Sequence, residues 1–239
     1  MKIKEKTTAS AIIVAGGQGR RMAADIPKQY LMIGKEPIWH HTTRAFIACE
    51  SIQKIIVVVP QSDCDERRQE IVQVFGTHSD IEVVAGGKRR QDSVYNGLLA
   101  LGKSLNQADT RDVVAVHDGV RPFVRTDQID ACVETARIHG ACILAIPAFD
   151  TLKRVNHKNE IENTLERRNI WMAQTPQAFH FQLITKAHEH AYKNDIEGTD
   201  DAGLVEHLGH NVKIVTGSRL NLKITTPEDF KWAQAMLRG

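Results

Sequence analysis

The sequence predicts an α/β fold: a doubly wound, mostly parallel sheet with helices on both faces and one projecting β-hairpin. Three observations carry that expectation. Short Val- and Ile-rich runs alternate with amphipathic stretches along the chain, the pattern of strand–helix units whose strands are covered on both faces. A glycine-rich turn follows the first of these runs, and open α/β sheets bind their ligands beyond the carboxyl ends of the strands. Residues 147–171 break the rhythm with two partly alternating segments around a polar turn, which is a hairpin signal.

Taken in order, the strand candidates are residues 11–14, 54–59, 81–84, 112–116, 141–146, 212–215 and 221–224. Most are β-branched and too short for helices. Helical patterns lie at 37–49, 63–75, 91–101, 126–139, 182–193, 202–208 and 227–237. The last begins at Thr226-Pro227 followed by Glu228 and Asp229, with Thr as the cap and Pro in the first turn. Within 147–171, the turn Asn156-His157-Lys158-Asn159-Glu160 separates the two segments. An isolated hairpin is marginal in water, so it needs another surface. The expectation is an arm that builds a homodimer; a hairpin folded onto its own domain is the alternative. No repeat or low-complexity tract occurs, and a single domain is expected over 1–239.

The net charge of +2 over 239 residues gives no support for a general nucleic-acid or membrane surface. Cys49, Cys64, Cys132 and Cys142 are scattered without C-x-x-C spacing, so a reduced, cytoplasmic setting is expected over disulfides or zinc. Adjacent His40-His41 and the pair His188 and His190 lack metal-ligand spacing on a helix face. Residues 1–6 have no apolar core, and no run of about 18 apolar residues occurs. A soluble, unexported protein is expected.

Four clusters carry the chemistry. In Ala15-Gly16-Gly17-Gln18-Gly19-Arg20-Arg21-Met22, followed by Pro27-Lys28, glycines let backbone N–H groups converge on an anion while cations add charge. Those cations repel one another unless an anion sits among them, so a polyphosphate is the expected ligand. A P-loop is excluded because Gly-Lys-Ser/Thr is absent. A dinucleotide fingerprint is excluded because Met22 stands at its third glycine. The second cluster, Gly86-Gly87-Lys88-Arg89-Arg90-Gln91-Asp92-Ser93, offers N–H groups and a hydroxyl for a base or ribose, while Asp92 or Ser93 as a helix cap is the alternative. The third, Val116-His117-Asp118-Gly119-Val120-Arg121, sets an Asp at a strand's carboxyl end, with an Asp118–Arg121 pair as its structural alternative. In the fourth, Asn221-Leu222-Lys223-Ile224-Thr225-Thr226, Lys223 has no part in the capping signal.

Together these segments resemble the 2-C-methyl-D-erythritol 4-phosphate cytidylyltransferase family, nearly end to end. The likeness rests on A-G-G-x-G-R-R-M with P-K-Q-Y, G-G-x-x-R-x-D-S, H-D-x-x-R-P, D-T-x-K-R and T-L-E-R, and continues through Q-T-P-Q, T-D-D-A and N-x-K-I-T-T-P-E-D, all in order. The chain departs at Val14, at Gly119-Val120 and at the basic Lys88-Arg89.

The resemblance implies a Rossmann-like nucleotidyltransferase fold of GT-A type whose glycine loop wraps the triphosphate of CTP. It implies that Arg21, Lys28 and Lys223 are the catalytic cations. Ala15, Gly16, Gly17, Gly19, Gly87 and Ser93 would bind nucleotide, and Asp118 would lie near both substrates. Thr151, Lys153, Arg154 and Arg167 on the arm, with Thr175 and Thr199, would bind methylerythritol phosphate across a homodimer. Mg²⁺ or another divalent cation is expected, held mainly by the CTP phosphates with no confident protein ligand. The rival readings are a ribitol 5-phosphate cytidylyltransferase, a module that only binds nucleotide, and a dinucleotide-dependent oxidoreductase. The three cations disfavour the second, and Met22 disfavours the third.

Overall fold

The computed structural model describes residues 9–17, 26–76, 80–104 and 112–237. Strand β1 (Ala9–Val14) leads into the glycine loop. A turn of 3-10 helix (Lys28–Tyr30) and a small antiparallel pair, β2 (Met32–Ile33) with β3 (Glu36–Pro37), precede α1 (Ile38–Ile47). Alternation then sets in with β4 (Ile52–Val59), α2 (Cys64–Phe75), β5 (Ile81–Ala85), α3 (Arg90–Ser104), β6 (Val113–Asp118), α4 (Thr126–His139) and β7 (Ala141–Pro147). After it come β8 (Lys153–Val155), β9 (Ile161–Thr164), β10 (Trp171–His180), α5 (Phe181–Lys193), α6 (Asp201–His207), β11 (Lys213–Thr216) and α7 (Pro227–Met236).

Seven strands form one sheet in the order β11-β7-β10-β6-β1-β4-β5. Neighbours run parallel except around β10, which is antiparallel to both β6 and β7. The period-2 alternation of side chains divides each strand between two cores. Ala11 and Ile13 of β1 face Trp39 and Phe46 of α1, Ile71 of α2, and Ile129 and Val133 of α4. Ile12 faces the opposite way with Ile56, Val58, Val114 and Val116, against Val94 and Leu98 of α3 and Ile184 of α5. The sheet is therefore doubly wound and mostly parallel, as the alternation predicts. A smaller cluster of Ile33, Ile38, Val120, Ile224 and Ala233 seats α7. Thr226 and Asp229 cap that helix reciprocally, with Pro at its start.

Two expectations change. Residues 221–224 are not a strand. Their bonds go to loops and side chains: Ile224 N–H donates to Val120 O at 2.9 Å, and Asn221 Nδ2 donates to Thr175 O at 2.8 Å. Ile224 is apolar because it fills the α7 cluster, not because it alternates in a ladder. Conversely β10 was not expected, because its buried Gln174, Thr175 and Gln177 mask the hydrophobic alternation. Gln177 shows why those polar groups are there. Its side-chain amide oxygen Oε1 accepts from Asp201 and Ala202 N–H, both at 3.1 Å, tying β10 to the start of α6.

The hairpin is present as β8 paired with β9, a separate two-stranded sheet exposed along both strands. Its base is the pairing of Pro147 with Trp171, where β7 and β10 part. The turn closes with Asn156 N–H on Glu160 O at 3.0 Å, and Asn159 takes the left-handed φ of 61° that Asn tolerates. All four cysteines are unpaired and buried. Among the described residues no helix is long and apolar enough to cross a membrane.

α3 packs closely on the sheet at Gly97, where an added Cβ would lie 2.8 Å from Ile12 Cγ2 and 3.3 Å from Val58 Cγ2. Gly97→Ala gains about 1 kcal/mol of helix propensity but overpacks a fully buried isoleucine, at a cost of about 1–3 kcal/mol. The expected outcome is a net loss of stability in urea titration; a stabilised G97A protein would show that α3 can lift from the sheet without penalty.

Candidate functional site: a cationic cleft at the strand ends

The functional residues gather where β1, β4, β5 and β6 end. A cleft of about 590 Å³ is lined by Val14, Ala15, Gly16 and Gly17 after β1, Lys28 and Gln29, Gly87 to Arg90 with Ser93, and Asp118, Val120 and Lys223. Beside it a second cavity of about 240 Å³ is lined by Ala173, Gln174, Thr175 and Gln177 of β10, Arg121, Thr199 and Asp200. Arg90, Asp118 and Lys223 line both cavities and form their common wall.

The floor of the larger cleft has close backbone approach built in. An added Cβ at Gly87 would stand 2.3 Å from Asp92 Cβ, so only glycine lets this turn fold back on α3. Gly87 N–H donates to Ser93 Oγ at 3.1 Å, and that hydroxyl donates to Arg89 O at 3.1 Å. Asp92 Oδ2 accepts from Arg89 N–H at 3.1 Å, and Asp92 Oδ1 receives its guanidinium at 2.9 Å. The capping alternative is therefore present. Ser93 organises the loop while lining the cleft.

Asp118 is the electrostatic centre. Its side chain is 8% exposed, and three cations contact it: Arg90 Nε at 3.1 Å from Oδ1, with Lys223 Nζ at 2.9 Å and Arg121 Nε at 3.3 Å from Oδ2. Burial alone would raise its carboxyl; the three cations, Arg90 foremost, outweigh burial and hold it well below the usual carboxylate range. The Asp118–Arg121 pair suggested as a structural alternative is thus real, yet it is one contact of three. Lys223 is brought here by its neighbours, since Asn221 and Ile224 are bonded on either side of it and Arg121 Nη1 donates to Asn221 O at 2.8 Å.

Beneath Asp118, its N–H donates to Thr175 Oγ1 at 3.1 Å. His117 Nε2 meets the Arg121 carbonyl at 3.1 Å, which fixes the proton on that nitrogen. Nδ1 then accepts from the Thr175 hydroxyl at 3.0 Å. Burial pushes the fully buried His117 down to about 3, so the ring is neutral and structural, not a proton carrier.

Ala15, Gly16, Gly17, Lys28, Gly87, Ser93, Asp118 and Lys223 are brought together in the cleft, and Thr175 and Thr199 in the adjoining cavity. Gly19 and Arg21 lie outside the described residues. Thr151, Lys153, Arg154 and Arg167 line neither cavity. Lys153 Nζ is bonded to Thr164 at 2.6 Å across the hairpin, and Arg167 donates to the Phe149 carbonyl. The residue given no role by the sequence reading is Arg90, which joins Asp118 to Asp201. Arg90 is the arginine of G-G-x-x-R-x-D-S, but the spacing says nothing of its partners; only the fold brings two buried acids to it.

A glycine-floored, cation-lined cleft at the carboxyl ends of a doubly wound sheet defines a nucleotide-handling α/β protein of the nucleotidyltransferase class. Comparison narrows the class. The chain belongs to the 2-C-methyl-D-erythritol 4-phosphate cytidylyltransferase (IspD) family, whose model matches residues 9–239. The cytidylyltransferase of that name from Geotalea uraniireducens is 44% identical over 230 residues, covering 96% of this chain and 97% of its own. The one from Syntrophus aciditrophicus is 44% identical over 233 residues, covering 98% and 97%. Among solved structures, the 4-diphosphocytidyl-2C-methyl-D-erythritol synthase of Anaerococcus prevotii superposes with a TM-score of 0.83 at 30% identity, covering 98% of this chain and 97% of that one.

His117 near 3 and His40, pushed by burial to about 4, both stay neutral in the fold below the ordinary histidine value. Each contributes stability that is complete above about pH 6.5 and is lost as pH falls through the window toward those folded values. Urea unfolding is expected to show about 2–5 kcal/mol less stability at pH 4.5 than at pH 7, in a range where Asp118 remains ionised. A flat profile over that window would mean the rings titrate freely.

Proposed function

We propose that this protein transfers the CMP group of CTP to 2-C-methyl-D-erythritol 4-phosphate, releasing pyrophosphate. The observation that carries the reading is the pair of cavities meeting at Arg90, Asp118 and Lys223. A cationic cleft, read as the triphosphate site, and a smaller pocket, read as the acceptor's, share that wall, in a chain matched by the family over 9–239.

In this reading the phosphate monoester oxygen of the acceptor forms a bond to the α-phosphorus as the bond to pyrophosphate breaks. Charge builds on the equatorial oxygens and on the leaving group, so catalysis is positioning and electrostatic stabilisation. Lys28 from the glycine-loop side and Lys223 from the opposite wall clamp that charge, and Arg21 serves with them. The nucleophile is already an anion, so no general base is required. Ala15, Gly16, Gly17, Gly19, Gly87 and Ser93 hold the nucleotide, and Thr175, Thr199 and Asp118 face the acceptor.

A divalent cation is read here as held mainly by the CTP phosphates. Both oxygens of Asp118 are taken by protein cations, and among the described residues no group of three or more His, Cys, Asp and Glu forms a cage. When bound to the CTP phosphates, Mg²⁺ supplies further neutralisation of the leaving pyrophosphate.

The exposed hairpin is read as a homodimer arm. Thr151, Lys153, Arg154 and Arg167, which line neither cavity of their own chain, serve the partner's acceptor pocket. A cytoplasmic setting is the reading that its proposed substrates and unpaired thiols support.

Lys28→Ala or Arg21→Ala is expected to lower kcat by about 100-fold or more in a pyrophosphate-release assay, and EDTA to abolish the wild-type signal. Near-normal turnover in both variants would remove the clamp. Ribitol 5-phosphate in place of methylerythritol phosphate separates the rival acceptor. Arg167→Ala is expected to raise the acceptor KM about tenfold with kcat little changed, and light scattering of the wild type is expected to report a dimer; an unaltered KM would argue against the shared pocket.

A further inference from the structure

Lys223 has two partners to satisfy. In this structure its ammonium lies on Asp118 Oδ2 at 2.9 Å, while in the proposed reaction it follows charge on the transferred phosphoryl group. Any movement toward phosphate loosens its hold on Asp118, a carboxylate almost wholly out of water. Such a group stays ionised and fixed only if other cations remain.

The two remaining cations are anchored differently. Arg121 Nη1 is bonded to Asn221 O, so it is tied to the same segment that carries Lys223. Arg90 is independent of that segment. Its Nη1 donates to Asp201 Oδ2 at 2.8 Å while its Nε donates to Asp118 Oδ1 at 3.1 Å. Asp201 is 1% exposed and is held in turn by His188 Nε2 at 3.1 Å on its other oxygen, and Tyr95 stacks on that imidazole. The neighbouring Gln91 bridges Ile196 O and Gly198 N–H at 3.1 and 3.0 Å, fixing the first turn of α3 to the loop before α6. Burial alone would lower the Arg90 guanidinium pKa; Asp201 and Asp118 outweigh it and raise it, so this cation never discharges.

We propose that Arg90 is a positioning residue: anchored through Asp201 and His188, it keeps Asp118 in place from the protein side, so that Lys223 is free to leave the carboxylate for the transferring phosphoryl group. The inference rests on the cytidylyl-transfer reading. A guanidinium serves because one rigid fork spans both carboxylates, which a lysine ammonium does not.

The test is Arg90→Lys, assayed by pyrophosphate release from CTP and methylerythritol phosphate beside wild type, Asp118→Asn and the double variant, with a thermal melt of each. Arg90→Lys keeps the charge and loses the fork. The expected result is a kcat about 10–100-fold lower, as for a displaced reacting geometry, with the CTP KM within about threefold of wild type. Because Arg90 acts through Asp118, adding R90K to D118N is expected to cost less than about twofold more. A folded R90K with kcat within about twofold of wild type, or full multiplication of the two effects, overturns the proposal. If R90K does not fold, Asp201→Asn, which releases the same guanidinium from its other end, is expected to reproduce the kcat loss, and an unchanged kcat in D201N overturns it equally. Wild-type turnover is the control: its absence would sink the functional reading, whereas an active wild type with indifferent variants sinks only the role of Arg90.

Discussion

A carboxylate nearly removed from water has to be ringed by positive charge, and the rest of the site is arranged around that requirement at Asp118. Around the end of β6, which carries Asp118, the ring is drawn from three further elements: the start of α3, the turn that carries Arg121, and the irregular segment that carries Lys223. Removing one partner from a buried ion pair costs about 3–5 kcal/mol, so the elements that carry Asp118, Arg90 and Arg121 are held to one another, while the Lys223 side chain, the most exposed of the three cations, is the one with room to move. Asp118 therefore acts first as a keystone. Its place between the two cavities follows from the same geometry.

The single antiparallel strand is the second constraint. A purely parallel continuation would set another helix crossover beside β6; β10 instead runs back between β6 and β7. Its pairing with β7 is irregular between Ala173 and Gln177, and there the Thr175 hydroxyl takes up the Asp118 N–H and satisfies His117. The same reversal creates the fork from which the hairpin grows. One topological choice thus supplies the floor of the smaller cavity and the root of the hairpin.

Much of this was legible in the chain. Valine- and isoleucine-rich strands such as β1, β4 and β6 are unmistakable because both faces are buried. The glycine turns and the Thr226 cap were readable because each has a local stereochemical cause. β10 escaped because its buried Gln174, Thr175 and Gln177 serve hydrogen bonds to residues far off in sequence, which no local period records. Residues 221–224 misled for the opposite reason: an apolar Ile224 was fitted to a ladder when it fills a packing site. Arg90 was invisible as a functional residue because its meaning comes from Asp118 and Asp201, carried on two other elements.

Lys28 and Lys223 belong to opposite ends of the sequence and meet only across the finished cleft. No early folding unit carries both. Their placement around one cleft spans most of the sequence, and closure over so long a loop carries a large entropy cost. Competence for chemistry therefore arrives with the completed tertiary structure and not before it. A partly assembled chain would hold Lys28 without Lys223 across the cleft, and so would lack one side of the proposed clamp.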